Sequence, residues 1–224
     1  LPISSSGHLV IAEALGGRQP DPTYNVLLHF GTLISILVVF YRRILDLLTS
    51  DRRVVPLLVL GTVPAAVIGL TIKATAADIL ESPLLAGAML PITGVIVWWS
   101  NRRPEGETGY KDLTWRLTLL IGLFQAFALL PGLSRSGLTI AAGLLVGLRR
   151  DQATSFSFLL AIPAICGAMV LEGKDMLTGE IPLPTAAQWG GAAIAAVVGI
   201  FALRWLQSWV RQQRLHWFAF WCIP

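Results

Sequence analysis

Two serine-rich clusters combine hydroxyl groups with a basic side chain at spacings that suit phosphate chemistry. They are SSSGH at residues 4–8 and LPGLSRSGLT at residues 130–139. In the second cluster Pro131 and Gly132 break a helix, and a new helix can begin at Ser134. A helix start presents free backbone N–H groups and the positive end of the helix dipole, both of which favour a bound anion.

The arginine of the second cluster lies in the middle of an apolar run, residues 117–148. An arginine at bilayer depth costs about 2.5–3.5 kcal/mol, so a functional role is expected for it. In the alternative, a proline kink lets Arg135 extend to the headgroups, but it lies about 14 residues from the nearest other charge. We therefore predict that Arg135 is a catalytic residue that binds a phosphate or another anion. Further anion-binding groups are predicted at Ser134, Ser136, Gly137 and Thr139.

In the first cluster His8 follows Ser5 by about one helical turn, so both side chains face one side if a helix begins here. A histidine titrates near neutrality and can take a proton from Ser5 or from a water that attacks phosphorus. In the alternative, His8 only bonds a carbonyl at the helix start. Ser5 is the favoured nucleophile, with His8 itself or water as the other candidates. Ser5 and His8 are thus predicted to be catalytic, and further substrate-binding groups are predicted at Ser4, Ser6 and Gly7.

The composition is that of an all-α, polytopic membrane protein. Of 224 residues, 54% are hydrophobic and 13% charged, and the mean hydropathy is +0.68. A soluble domain carries roughly a quarter charged residues. The length fits one transmembrane domain with about six spanning helices of about 20 residues each. His29 lies in one of these apolar segments, where we predict that it packs or makes a local hydrogen bond.

Charge asymmetry predicts which loops share a face of the membrane. If the run 117–148 dips in and returns, thirteen of the seventeen Lys and Arg residues lie on one face and three on the other. The loops on the basic face are then 42–53, 100–116, 149–151 and 204–214. If the run instead crossed, the last two of these loops would move to the opposite face. The positive-inside rule therefore favours a re-entrant helix–break–helix hairpin that enters from the cytoplasm.

The first cluster is a second copy of the central one. SSSG at residues 4–7 aligns with SRSG at residues 134–137, an offset of 130 residues. Charge predicts that the first hairpin dips in from the outside and the second from the inside, which is an inverted-topology repeat. We predict one transmembrane domain over residues 1–224, with repeat one at about 1–99 and repeat two at about 117–224. The chain opens inside a motif and stops inside an apolar stretch, so we expect a fragment truncated at both ends.

The two clusters resemble the two signature motifs of the undecaprenyl pyrophosphate phosphatase family, also called the bacitracin-resistance family. The likeness extends over nearly the whole chain and includes HFGT at residues 29–32, the arginine pair at 42–43 and FSF at 156–158. Family members are integral proteins of the bacterial inner membrane. They remove the terminal phosphate of a C55 isoprenoid diphosphate and so recycle the lipid carrier for peptidoglycan synthesis.

The resemblance implies this hydrolase activity on undecaprenyl diphosphate, with an active site reached from the outer face. The expected partners are the isoprenoid diphosphate lipid, the membrane and a second copy in a homodimer, but no nucleic acid. The resemblance also implies a divalent metal, Mg²⁺ or Ca²⁺. The family's glutamate-rich motif lies just upstream of the serine–histidine motif and this sequence begins after it, so the metal ligands stay unknown. In the second repeat the corresponding region offers Gln125 and Leu129, and no acidic pair.

A second class of function fits the same features, namely a transporter or flippase for a phosphate-bearing lipid or anion. Inverted repeats with helix breaks at the midplane are a transporter layout. Ser5 and His8 beside the anion site favour chemistry, because a carrier needs charge and hydrogen bonds but no nucleophile–base pair.

Overall fold

A computed structural model describes residues 1–17, 22–179 and 182–222, and the helices of these ranges confirm the predicted all-α class. Each helix is numbered in chain order. They are α1 (Ser5–Leu15), α2 (Pro22–Val39), α3 (Tyr41–Leu48), α4 (Val54–Thr75), α5 (Pro83–Asn101), α6 (Trp115–Phe127), α7 (Arg135–Leu145), α8 (Arg150–Leu177), α9 (Ala186–Arg211) and α10 (Ala219–Cys222). Short 3₁₀ segments lie at Ala77–Glu81, Tyr110–Asp112 and Leu215–Phe218.

Among the described residues, four helices are long and apolar enough to cross a membrane: α4, α5, α8 and α9. A fifth candidate is α2 together with α3, which follows it after a bend of 75°. These five candidates compare with the predicted number of about six spans. After α9 the described chain holds only a 3₁₀ turn and the short α10.

The helix α3 corrects the sequence analysis, which assigned residues 42–53 to a loop. Its side chains divide between two sides of the helix. Leu47 is buried, whereas Tyr41, Leu45 and Leu48 form one exposed apolar stripe. A short amphipathic helix of this kind lies along an interface, so its apolar residues do not form the long run by which a spanning helix is recognised.

The segment 115–149 forms the predicted re-entrant hairpin. The helices α6 and α7 have 13 and 11 residues, or roughly 20 and 16 Å, while a bilayer core is about 30 Å thick. Thr108, in the loop that precedes α6, is hydrogen-bonded to the chain that follows α7. The Thr108 N–H donates to the Gly147 carbonyl at 3.1 Å, and the Arg149 N–H donates to the Thr108 carbonyl at 3.0 Å. The chain therefore enters and leaves this hairpin on the same face of the molecule.

Side-chain contacts tie the basic loops together on that face. The Lys111 ammonium lies 2.8 Å from Asp51, whose carboxylate is buried. This ammonium lowers the pKa of the Asp51 carboxyl, and the carboxylate raises the pKa of Lys111 in return. Arg150 donates to the Asn101 carbonyl at 3.1 Å, and the Asn101 side chain accepts from the Leu215 N–H. All four predicted basic loops thus meet on one face, which we call the arginine-rich face.

Contacts on the opposite face join the loops predicted to lie there. Lys73, near the end of α4, lies 2.6 Å from Asp175, near the end of α8. The Thr23 hydroxyl donates to the Pro182 carbonyl at 2.9 Å. The ends of α4 and α8 and the starts of α2 and α9 therefore share this face.

The motif-bearing helices α1 and α7 both pack against α5, which positions them relative to each other. Glycines let neighbouring helices approach closely in the rest of the bundle. A Cβ atom at Gly31 of α2 would lie 3.0 Å from the Ala195 Cβ of α9, and Gly122 of α6 meets the Gly61 backbone of α4. Small residues at such crossings are typical of helix contacts in membranes. The division into repeats 1–99 and 117–224 stays a prediction.

Candidate functional site

The two serine-rich clusters, 130 residues apart in sequence, meet at two glycines. A Cβ atom added to Gly7 of α1 would lie 2.7 Å from the Gly132 Cα and 2.8 Å from the Gly132 nitrogen. Real Cβ atoms essentially never come so close, so the two backbones can lie in contact here only because residue 7 is a glycine. The starts of α1 and α7 are held side by side at this point.

Thr93 of α5 holds the break before α7 in place from both sides. Its buried hydroxyl donates to the Gly132 carbonyl at 2.7 Å and accepts from the Ser134 N–H at 3.1 Å. Gly132 has a positive φ of 90°, a conformation in which a side chain is strained. The Gly132 position also faces Ala86 and Met89 of α5 with no space for a Cβ.

The helix α7 begins at Arg135, as the sequence predicts, with Ser134 as its N-cap residue. The Ser134 hydroxyl accepts from the Gly137 N–H at 3.2 Å and lies 3.4 Å from the Ser136 hydroxyl. The N–H groups of Arg135 and Ser136 have no acceptor among the described residues. Two free amides, the helix dipole and the Arg135 charge are thus available to one anion.

The Thr139 hydroxyl is placed differently from the expectation that it binds substrate. It is buried, donates to the Arg135 carbonyl at 2.7 Å and lies 2.5 Å from the Ser157 hydroxyl of α8. A hydroxyl has a single proton, and that of Thr139 is already donated to the Arg135 carbonyl, so none is left for a phosphate oxygen. Thr139 is therefore a positioning residue that joins the first turn of α7 to α8.

The start of α1 is less satisfied than the start of α7. Ser4 is buried and adopts a left-handed backbone with φ 53° and ψ 71°, and its hydroxyl has no hydrogen-bond partner among the described residues. The Ser4 carbonyl accepts from the His8 N–H at 3.1 Å and from the His8 Nδ1 at 2.9 Å. The carbonyl bond considered for His8 therefore forms. Because a carbonyl oxygen only accepts, Nδ1 carries the proton in this bond, and a neutral ring then keeps its free lone pair on Nε2, which is the tautomer of a base or ligand.

Ser5 and Ser6 are exposed, as is the His8 ring on the same side as Ser5. No hydrogen bond joins Ser5 to His8 among the described residues. Such hydrogen bonds are often absent in a ligand-free site and form only with substrate.

The Arg135 guanidinium has no hydrogen bond or ion pair within ranges 1–17, 22–179 and 182–222. Protein surrounds it on most sides, and the residue stays partly accessible. His29 of α2 is an exposed residue, and it lies close enough for the Arg135 charge to act on it. The predicted local hydrogen bond of His29 is absent among the described residues, while its packing stays a prediction.

The donor atoms at these helix starts do not fit a divalent metal by themselves. Mg²⁺ and Ca²⁺ prefer carboxylate and other oxygen ligands, and the clusters at residues 4–8 and 134–139 contain no carboxylate. No group of three His, Cys, Asp or Glu side chains within the described part of the chain is placed to hold a metal ion. The metal ligands stay unknown.

The sequence analysis missed three residues of this site. Thr93 and Ser157 give no local signal, because each acts through a partner on another helix. His29 does carry a signal, since a lone ionisable residue in an apolar helix is by default a candidate for function. The proximity of His29 to Arg135 arises only from tertiary structure, because the two residues lie on different helices.

Two membrane-embedded helix starts that converge on an arginine without an acidic partner define a membrane protein that handles an anionic group. The comparisons with known proteins define it more narrowly. The family model for bacitracin resistance protein BacA matches residues 1–224, and this chain belongs to that family.

Curated relatives carry a single activity in their names. The undecaprenyl-diphosphatase of Rhodopirellula baltica is 56% identical over 229 residues, which cover 100% of this chain and 88% of the relative. The undecaprenyl-diphosphatase of Desulfatibacillum aliphaticivorans is 38% identical, with 99% of this chain and 89% of the relative covered. The same name belongs to a relative from Moorella thermoacetica, 37% identical over 95% of this chain and 84% of its own length.

Proposed function

We propose that this protein is an enzyme that hydrolyses the terminal phosphate of undecaprenyl diphosphate, giving undecaprenyl phosphate and inorganic phosphate. The observation that carries the proposal is the position of Arg135. It lies at the start of α7 beside Gly132, against which α1 packs, and no carboxylate among the described residues neutralises it. A diphosphate supplies the missing negative charge, and the family and the names of its relatives support this substrate.

Arg135 and the start of α7 bind the diphosphate in this mechanism. The guanidinium fork pairs with two phosphate oxygens, and the free N–H groups of Arg135 and Ser136 donate to a third. The Ser134 hydroxyl has used its lone pair to cap Gly137, so its proton is available to a phosphate oxygen. These donors are fixed before substrate arrives, so they stabilise charge that develops on the phosphoryl oxygens in the transition state.

His8 acts as the base. Its Nδ1 donates to the Ser4 carbonyl, so Nε2 takes the proton of the attacking hydroxyl. The new bond joins the nucleophile oxygen to the terminal phosphorus, and the bond from that phosphorus to the bridging oxygen breaks. The electron pair leaves with undecaprenyl phosphate. Ser5 is our preferred nucleophile, and the phosphoserine that it forms is hydrolysed in a second step. A water attacks phosphorus, the bond from phosphorus to the Ser5 oxygen breaks, inorganic phosphate leaves and the Ser5 oxygen regains a proton from His8. Water as the direct nucleophile and His8 itself are the two alternatives.

We further propose that the enzyme needs Mg²⁺ or Ca²⁺, as the resemblance implies. The residues described here do not supply its ligands, so no step above depends on the ion. The matching experiment is phosphate release before and after treatment with a chelator, followed by addition of each ion.

For localisation we propose the bacterial inner membrane, with the arginine-rich face in the cytoplasm and the active site open to the outer face. The positive-inside rule supports this orientation. Single cysteines labelled with an impermeant reagent in intact cells test it. We expect labelling within residues 73–83 and none within 100–116, and the opposite pattern contradicts the orientation. A homodimer is proposed as well, and cross-linking in native membranes tests it.

Phosphate release from an isoprenoid diphosphate in detergent tests the enzyme proposal. Detergent provides no second compartment, so a transporter or flippase gives no signal in this assay. The packing of both motif-bearing helices against α5 favours that second candidate, because helix breaks that meet between two repeats are a transporter layout. Release by the intact protein, lost in His8→Ala, supports the phosphatase. No release together with lipid movement in sealed vesicles supports the carrier.

A further inference from the structure

A second cationic cavity lies on the arginine-rich face, on the far side of α7 from its start. It has a volume of about 330 Å³ and lies at the bend between α2 and α3. The bend contributes Arg42 and Arg43, the end of α9 contributes Arg211 and Gln207, and the start of α8 contributes Asp151. Neither serine-rich cluster lines it.

The positive charges of this cavity are only partly compensated by the protein. Arg43 and Arg211 have no ion pair among the described residues, and Arg42 bonds only the Tyr41 hydroxyl, at 2.8 Å. Arg43 lies 6.0 Å from the Tyr110 ring centre and acts on the Asp51 carboxylate from outside ion-pair distance. Asp151 is the one carboxylate among the lining residues, and it already accepts from Gln152 at 2.7 Å and lies 3.7 Å from Arg149. The three lining arginines therefore have no ion-paired carboxylate of their own.

The hydroxyl groups of the wall do not replace an anion. Thr154 and Ser155 are buried at the start of α8 and line the cavity. The Thr154 hydroxyl donates to the Arg150 carbonyl, and the Ser155 hydroxyl donates to the Asp151 carbonyl. The first turn of α8 adds the positive end of a 28-residue helix to the same space. The side chains that line the cavity and still have a free hydrogen-bond donor are therefore positively charged or neutral.

The neighbouring helix α3 indicates at what depth the cavity opens. Its exposed stripe of Tyr41, Leu45 and Leu48 suits the boundary between headgroups and acyl chains. Arg42 and Arg43 follow Tyr41 directly, so their guanidinium groups lie at the level of lipid phosphates. Val39 and Phe40 supply an apolar wall on the membrane side.

We propose that this cavity binds the phosphate group of an anionic lipid in the leaflet on the arginine-rich face. Arg43 and Arg211 clamp the phosphate from two helices, and the acyl chains lie against the stripe of α3. The lipid thereby joins the end of α9 to the bend between α2 and α3. This site is separate from the diphosphate site and does not depend on the proposed reaction.

The test compares two double variants that remove the same charge from the same face. In Arg43→Gln with Arg211→Gln the cavity loses both clamps. In Arg204→Gln with Arg214→Gln two exposed arginines outside the cavity are lost, and neither has a contact among the described side chains. Native mass spectrometry in detergent measures how many phosphatidylglycerol molecules each purified protein retains, with phosphatidylcholine and inorganic phosphate as parallel probes.

We expect the wild type and the Arg204/Arg214 variant to retain phosphatidylglycerol in preference to phosphatidylcholine. The Arg43/Arg211 variant should bind phosphatidylglycerol at least about tenfold more weakly, since a hydrogen bond between a guanidinium and a phosphate is worth about tenfold or more in affinity. Equal losses in both double variants overturn the proposal, because they indicate general attraction to a basic face. Saturation by inorganic phosphate at the same concentration also overturns it, because the site then takes a free anion. The single variant Arg211→Gln decides the question if the double variant does not fold.

Discussion

The two helix starts at the candidate site share a sequence pattern but differ in how far their polar groups are satisfied. At the start of α7 the Ser134 hydroxyl caps Gly137, and Thr93 bonds both sides of the break. At the start of α1 the Ser4 hydroxyl has no partner among the described residues, and the Ser4 backbone is left-handed. A non-glycine residue in that conformation is strained by roughly 1–2 kcal/mol.

This difference indicates a division of labour between two copies of one motif. The second copy is rigid and positively charged, which suits binding and charge stabilisation. The first copy keeps an exposed serine and a histidine with a free Nε2 atom, which suits bond making and proton transfer. Strain and an unsatisfied hydroxyl at Ser4 are tolerated there because the neighbouring contacts of Gly7 with Gly132 fix the backbone.

Replacement of Gly7 by alanine tests the contact on which the whole comparison depends. The new Cβ would lie 2.7 Å from the Gly132 Cα, so the two helix starts must separate. We expect loss of activity beyond detection together with a lower thermal stability in detergent. Gly87→Ala on α5 is the matched control, because no atom lies within 4 Å of its Cβ position, and it should behave as wild type. Normal activity in Gly7→Ala would mean that the clusters work separately.

Substitutions of Ser5 and His8 test whether the first copy performs the chemistry as one unit. We expect Ser5→Ala and His8→Ala each to lower phosphate release by orders of magnitude, with the double variant little worse than either. Groups that act in one step give such non-additive losses. Ser4→Ala should cost less, because water can replace a hydroxyl at a helix start. Multiplicative losses in the double variant would assign His8 to ligand binding and leave water as the nucleophile.

The variant Arg135→Lys tests the binding role of the second copy. Lysine keeps the charge but loses the planar fork that contacts two phosphate oxygens. We expect most of the turnover to be lost while the protein keeps its thermal stability and its helical circular dichroism. Near-normal phosphate release by Arg135→Lys would rule out bidentate binding and give Arg135 a structural role.

Thr93→Val tests whether the satisfied start of α7 owes its rigidity to α5. Valine has the same shape but leaves the Gly132 carbonyl and the Ser134 N–H buried without partners. We expect a loss of about 2 kcal/mol or more in stability and a smaller loss of turnover than in Arg135→Lys. Thr71→Val is the control, since the exposed Thr71 hydroxyl bonds only the Val67 carbonyl of its own helix. Equal effects of Thr93→Val and Thr71→Val would show that the helix break before α7 does not depend on the Thr93 hydrogen bonds.

The smallest effect is expected at Asp51, far from both helix starts. Lys111 lowers the pKa of the Asp51 carboxyl below its ordinary value of 3.8. The ion pair therefore stabilises the fold fully above pH 3.8, and this contribution is lost as the pH falls through the lowered pKa. Asp51→Asn should therefore lower the melting temperature slightly at pH 7, and the difference from wild type should vanish in strong acid. Turnover should not change. A difference that persists in strong acid would assign the effect to something other than charge.

The sequence was sufficient for features that depend on local chemistry or on charge. The break at Pro131 and Gly132 and the start of α7 follow from residue types alone. That the hairpin returns to the arginine-rich face was predicted from the distribution of basic residues among the loops. Helix propensity carries no such information. Thr93 could not be found in this way, since its two partners lie 39 and 41 residues away.

The same limit applies to His29 and Thr139. Each residue was assigned from its neighbours in sequence, whereas its surroundings come from another helix. Ser157 of α8 engages Thr139, and Arg135 of α7 lies near His29. The helix α3 was missed for a different reason, because an apolar stripe of three residues is too short to stand out in a sequence rich in leucine.

The tie between Thr108 and Arg149 has a consequence for how this molecule tolerates change. Because the hairpin starts and finishes on one face, it adds no crossing, and the orientation of α8 and α9 does not depend on how deeply the hairpin penetrates. The depth of the hairpin in the membrane can therefore differ without a change in the topology of the chain. A hairpin of another length would leave every later loop on its own side, whereas a single crossing in its place would reverse the orientation of α8 and α9.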